Sequence, residues 1–91
     1  MKYVVSYDVV DDRMRARVAK CLEDYGDRVQ KSVFEVDIGV DRLARMCKRL
    51  EKLIDHEEDS VRIYPVCNTC LEKVNILGVG EVLRDRRVTI I

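Results

Sequence analysis

The chain has 91 residues, 17 of them Lys or Arg and 17 Asp or Glu, so its formal net charge is zero. That length bounds it to one domain and one core. Such a chain buries about 60–70% of its unfolded surface, so association with a second copy would add useful stability. The charge balance excludes a polybasic tail but leaves room for a basic face on a dipolar molecule. There is no signal-peptide pattern and no apolar run near the roughly 20 residues of a membrane span. We therefore expect a cytoplasmic protein whose four cysteines stay reduced.

Residues 2–12, KYVVSYDVVDD, are the first element. Period-two parity puts Tyr3, Val5 and Tyr7 on one face and Val4, Ser6 and Asp8 on the other. So few polar interruptions predict a central strand covered on both faces. Asp8 then falls near its C-terminal end, as a turn and capping device or as a ligand. Asp11 or Asp12 can cap the helix that follows. Met14, Val18, Cys21, Leu22 and Tyr25 recur at steps of three and four, which predicts an amphipathic helix over 12–25, stopped by Gly26 at its C′ position. Arg13, Arg15, Arg17 and Lys20 ride on it. A solvated face explains them simply; phosphate contact is the sharper alternative.

Residues 28–38, RVQKSVFEVDI, are the next β region, one bent strand or two short ones joined at Lys31–Ser32. Gln30, Ser32, Phe34, Val36 and Ile38 share a parity that grows apolar toward its end, and Phe34 is more simply core than a platform for a base. Gly39 breaks the strand and Asp41 can cap a second helix. Its stripe is Leu43, Met46, Cys47, Leu50, Leu53 and Ile54, with Arg42, Arg45, Lys48, Arg49 and Lys52 mostly off it. The DHEED stretch at 55–59 reads as a solvated acidic loop, its His56 included.

Residues 60–66, SVRIYPV, are the third clear β segment, and Pro65 places a strand end or a sheet edge there. Cys67-Asn-Thr-Cys70 is half of a zinc site, which only a second protomer could complete. A thioredoxin-type redox motif needs a helix start that the sequence does not display. A turn with partly buried thiols is the plain reading, a local disulfide the smaller alternative. A short strand is expected at 73–77. Beyond it lie Arg84, Arg86 and Arg87 and an apolar tail at 88–91 that must pair with something, most naturally a partner subunit. The order β, α, β (one or two), α, β, β, β predicts an α+β sandwich of the ferredoxin-like kind.

The strings YDVVDD, RMRARVAKCLEDYGDRVQKSVFEVDI and DSVRIYPVC together resemble the small CRISPR-associated adaptation protein, the non-integrase partner in the complex that captures new spacers. The most specific of them, YG-x-RVQ-x-SVFE, spans residues 25–35. The resemblance implies a βαββαβ ferredoxin-like domain over 1–91, with extra C-terminal strands and about 81–91 packing on the partner of a homodimer by strand exchange. It implies an integrase-subunit partner and duplex DNA, and a magnesium-dependent endonuclease acting on RNA or DNA; a purely structural DNA-holding bridge is the alternative. Carried over by position, Asp8 is the magnesium ligand and catalytic carboxylate, facing its twin across the dimer axis. Tyr7 is its catalytic neighbour, Arg15, Arg17, Arg28 and Phe34 are nucleic-acid contacts, and Ser32 matches the serine of the string.

Overall fold

The structure is a computed structural model that describes residues 1–80. Alternating burial in the first strand sets its plan. Tyr3, Val5 and Tyr7 are buried, while Lys2, Val4 and Ser6 are half-buried and Asp8 is exposed. The elements run β1 (Lys2–Asp8), α1 (Asp12–Glu23), β2 (Gly26–Gln30), β3 (Val33–Asp37), α2 (Val40–Leu53), β4 (Ser60–Val66) and a one-turn α3 (Asn68–Leu71). The four strands make one antiparallel sheet in the order β2-β3-β1-β4. This is the βαββαβ arrangement the sequence predicts, with β1 in the interior of the sheet.

The apolar stripes of α1 and α2 cover one face. Val18, Cys21 and Leu22 of α1, Met46 and Leu50 of α2, and Val5, Phe34 and Val36 of the sheet form the core. Val61 and Ile63 of β4 pack against it, as their parity predicts. The other face of β1 is not covered to the same degree by the described residues. The register places Val4, Ser6 and Asp8 beside Val33 and Glu35 of β3 and Ser60, Arg62 and Tyr64 of β4 on that open side. The expectation of a strand buried on both faces is thus met on one only. Glu35 shows what the open side costs. Its Oε1 is buried without a hydrogen bond among the described residues, Lys2 Nζ stands 3.9 Å away, and burial pushes its carboxyl above the usual range against the pull of Lys2.

Several boundaries differ from the sequence reading. α1 ends at Glu23, and Gly26 opens β2 instead of capping the helix. The glycine is needed there because β2 presses on β3: a Cβ at Gly26 would lie 2.1 Å from the Glu35 carbonyl oxygen. Residues 28–38 resolve into two strands separated at Lys31–Ser32, with an irregular register between Arg28 and Gln30. The N-cap of α2 is Gly39, whose carbonyl accepts from Leu43 N–H at 3.0 Å, and Asp41 lies inside the first turn. Residues 73–77, where the sequence predicts a strand, join no ladder among the described residues. The CxxC is a helical turn and both thiols are exposed. The basic cluster at 84–87 and the tail at 88–91 lie outside the described residues. Among the described residues, no helix is long and apolar enough to cross a membrane.

Tyr25 explains why the 25–35 string begins as it does. It sits where α1 passes into β2, with the guanidinium carbons of Arg42 and Arg49 at 5.1 and 5.4 Å from its ring centroid. Arg49 also donates to Asp24 Oδ2 at 2.9 Å and to the Tyr25 hydroxyl at 3.3 Å. Two cations that lie off the apolar stripe of α2 therefore tie it to the α1–β2 junction.

Candidate active site

Asp8 closes β1 on the open side of the sheet, opposite Ser60 of β4. Its side chain is exposed and makes no hydrogen bond or ion pair among the described residues. A carboxylate used as a helix cap would be engaged; the capping is done by Asp11, whose Oδ1 accepts from Met14 N–H at 2.9 Å. Asp8 is thus not the helix cap, and its carboxylate stays exposed.

Tyr7, the next residue back, points to the opposite face and is buried. Its hydroxyl donates to the Lys31 carbonyl at 3.3 Å and accepts from Arg28 at 3.5 Å. Its backbone N–H donates to the Ser32 carbonyl at 3.1 Å. Phe34 completes this group: its ring centroid is 6.2 Å from that of Tyr7, and the Arg28 guanidinium stacks over it at 5.4 Å. Phe34 itself is fully buried, so its ring has no face to offer a base. What it presents is Arg28, whose planar cation lies outermost and exposed. Tyr7, Arg28, Phe34 and the Lys31–Ser32 turn are therefore one assembly, and Asp8 stands on the other side of the sheet from its aromatic part.

The two α1 arginines do not act as a pair in space. Residues two apart on a helix do not share a face. Arg15 turns back toward the β1–α1 loop, pairing with Asp12 and reaching the Val9 carbonyl at 3.5 Å. Arg17 is exposed and free of ion pairs among the described residues, on the side of the helix that also carries Arg13 and Lys20.

One contributor was invisible in the sequence. Asp59, inside the stretch read as a solvated loop, accepts from Val10 N–H at 2.9 Å through Oδ1 and from Asp55 N–H at 2.8 Å through Oδ2. It fixes the loop two residues beyond Asp8. These two bonds hold its carboxyl below the usual carboxylate range. A depressed folded-state pKa contributes stability above the unfolded-state value, and that contribution is lost as pH falls through the folded-state value. Asp59→Asn, which keeps only one acceptor oxygen, should therefore lower Tm at neutral pH. The gap from the parent should close as the pH is taken below the ordinary Asp range; a gap that is constant across a pH series of melts would contradict this.

The sequence matches the family described as CRISPR-associated protein Cas2 over residues 1–74. A relative from Rhodospirillum rubrum named CRISPR-associated endoribonuclease Cas2 4 is 48% identical over 77 residues, which is 85% of this chain and 62% of the relative's length. The chain belongs to the Cas2 family. Among solved structures, the Cas2 of Streptococcus pyogenes superposes with a TM-score of 0.78 at 35% identity, covering 86% of this chain and all of that one. A chain of a partial Cas6-RT-Cas1–Cas2 complex superposes with a TM-score of 0.75 at 31% identity, covering 84% of this chain and 89% of that one. In this Cas2-family chain, then, the residues singled out from the sequence fall into four places. Asp8 is on the open side of the sheet, the Tyr7–Arg28–Phe34 assembly links β1, β3 and β2, Arg15 lies at the β1–α1 loop, and Arg17 is on the surface of α1.

The Asp8 site fits a hard divalent cation in its chemistry. Magnesium is commonly held by one or two carboxylates, with water and phosphate oxygens completing its octahedron. Asp8 is an exposed carboxyl oxygen donor with no ion pair among the described residues. Among the described residues no three metal-ligating side chains converge, so one protomer offers this single carboxylate.

Proposed function

We propose that this Cas2-family chain serves spacer acquisition as a homodimer, binding duplex DNA together with a Cas1 integrase subunit, and that Asp8 from both protomers supports magnesium-dependent cleavage of a phosphodiester in RNA or DNA. The observation that carries the reading is the free Asp8 carboxylate at the end of β1. The endoribonuclease name of the Rhodospirillum relative and the Cas1–Cas2 complex among the solved structures support it. Association through the open side of the sheet would cover Val4, Val33, Tyr64 and Val66 and complete the burial of Glu35. Twin Asp8 carboxylates about 4 Å apart would repel by about 4 kcal/mol at an effective dielectric near 20. A divalent cation between them removes that repulsion.

When bound, the ion supplies Lewis-acid polarisation of the scissile phosphate. The rest falls to the chain's own groups. Asp8 would hold the cation, while the backbone of the β1–α1 loop, pinned by Asp59, keeps the carboxylate in place. Arg28, backed by Phe34 and steadied by the Tyr7 hydroxyl, offers a planar donor to phosphate oxygens. Tyr7 and Phe34 act through Arg28 as positioning residues. Titrating magnesium into a cleavage assay with single-stranded RNA, single-stranded DNA and duplex DNA tests the reading. Cleavage should require the cation and stop on chelation. Chelator-resistant cleavage would overturn the role given to Asp8.

The second reading, a DNA-holding bridge without relevant cleavage, is favoured by the exposure of Arg17, which depends on neither Asp8 nor a cation. Its contacts should be to phosphates and blind to sequence. Arg17→Ala should flatten the salt dependence of duplex binding by up to about one unit per protomer, equally on unrelated duplexes. Arg15→Ala should change it less, because Asp12 and the Val9 carbonyl already engage that guanidinium. A loss confined to one sequence would count against backbone contact.

A further inference from the structure

Neither reading uses the two exposed cysteines. Cys67 caps α3 immediately after β4, and its Sγ accepts from Cys70 N–H at 3.4 Å. The turn is closed by Leu71 N–H donating to the Cys67 carbonyl at 2.9 Å. Residues three apart in a helix have Cβ atoms about 5–6 Å apart. A disulfide needs Cβ atoms about 3.5–4.5 Å apart, so ring closure draws the backbone of this turn tighter by about 1–2 Å. The two thiols are also unlike each other. Cys67 is held below the usual thiol range by hydrogen bonds from the Cys70 N–H and thiol, and Cys70 is pushed above it by its hydrogen bond to Cys67. The sulfur that accepts a backbone N–H, Cys67 Sγ, is the better supported of the two as a thiolate. Cys21 is buried and Cys47 half-buried, and burial raises both. Among four cysteines, only this pair combines exposure, proximity and an activated member.

We propose that Cys67 and Cys70 form a thiol–disulfide exchange site, with Cys67 as the attacking thiol, Cys70 as the resolving thiol and low-molecular-weight disulfides as the oxidant. The Cys67 thiolate attacks one sulfur of the external disulfide, forming a mixed disulfide and releasing one thiolate. Cys70, giving up its proton to solvent, then attacks Cys67 Sγ, closing the 67–70 ring and releasing the second thiol. Two electrons pass from the cysteine pair to the external disulfide. The ring would lock the turn by which the chain leaves β4. Just beyond that turn, Val74 and Ile76 line a groove of about 530 Å³ with Arg28, Val33 and Glu35 of the sheet. Oxidation therefore fixes the start of the segment that lies beside Arg28.

The test uses the full chain in anaerobic mixtures of reduced and oxidised glutathione at neutral pH, quenched with acid and read by mass spectrometry after alkylation. A Cys67–Cys70 disulfide should form while Cys21 and Cys47 remain reduced. Cys70→Ser should stop at a glutathione adduct on Cys67, and Cys67→Ser should acquire its adduct on Cys70 at least about 10-fold more slowly. Amide exchange over 68–77 should slow on oxidation and recover on reduction. Stable adducts without ring closure in the parent, oxidation at Cys21 or Cys47, or equal rates in the two variants would overturn the proposal. So would thiols that react only after a chelator is added, which would make the pair a metal site. Unchanged amide exchange would remove the link to the chain's path beside Arg28.

Discussion

Asp8→Asn should cut cleavage of an RNA or DNA substrate by at least about 100-fold, a rise of about 2.7 kcal/mol in the barrier. The substitution keeps the shape and much of the hydrogen-bonding capacity of the side chain and removes its charge. In a homodimer two charges go at once, and with them most of the attraction for a divalent ion. The fold should not respond, because Asp8 is exposed and makes no hydrogen bond or ion pair among the described residues. Dimerisation should persist or tighten, since the repulsion between twin carboxylates is gone.

The same variant separates the two functional readings. Arg17 and Arg28 are placed by α1 and by the Phe34–Tyr7 assembly, and neither leans on Asp8. Duplex binding and spacer acquisition should therefore survive while cleavage is lost. An Asp8→Asn protein that keeps its fold, dimer and Cas1 contact but fails to support acquisition would make cleavage the primary role. An Asp8→Asn protein that cleaves as the parent does would move the chemistry elsewhere in the chain.

How much of this was legible in the sequence depends on how local each cause is. Parity alone separated Tyr7 from Asp8 and selected Phe34 and Val36 as core, because a strand's period is a backbone property. The sequence locates the break between β2 and β3 at Lys31–Ser32 but leaves open one bent strand or two, because that pair carries no Gly, Pro, Asn or Asp and the turn is held by Tyr7 from another strand. The α3 turn is too short to show a period, so its cysteines read as a turn with partly buried thiols, whereas both are exposed. Val74 and Ile76 alternate as strand residues do, yet a strand needs a neighbour to bond, and none is offered to them among the described residues. The assignment of Phe34 as a nucleic-acid contact followed from resemblance. The structure buries the ring and makes it the support under Arg28. Asp59 and the arginines around Tyr25 owe their roles to partners 49, 24 and 17 residues away, beyond the reach of any local pattern.

Gly26→Ala should be the most damaging single methyl in the protein. The added Cβ would meet the Glu35 carbonyl oxygen at 2.1 Å and Val36 Cα at 2.8 Å, both backbone atoms that cannot swing aside. Relief requires β2 to move off β3. Overpacking of this kind costs about 3 kcal/mol, and for a domain of this size that lowers Tm by roughly 12–24 °C. Gly39→Ala is the matched control: nothing lies within 4 Å of its added Cβ, and replacing a glycine N-cap should cost under about 1 kcal/mol. Because β2 is an edge strand, the damage has a functional signature as well. Arg28 pairs with Phe34 across the β2–β3 ladder and reaches Tyr7 only from that register. Displacing β2 should weaken nucleic-acid binding even where the remaining three strands stay folded. Amide exchange separates the cases, with protection lost first over 26–30 and retained over β1 and β4. If Gly26→Ala melts within a few degrees of the parent and binds duplex DNA normally, the close approach of β2 to β3 does not hold Arg28 in place.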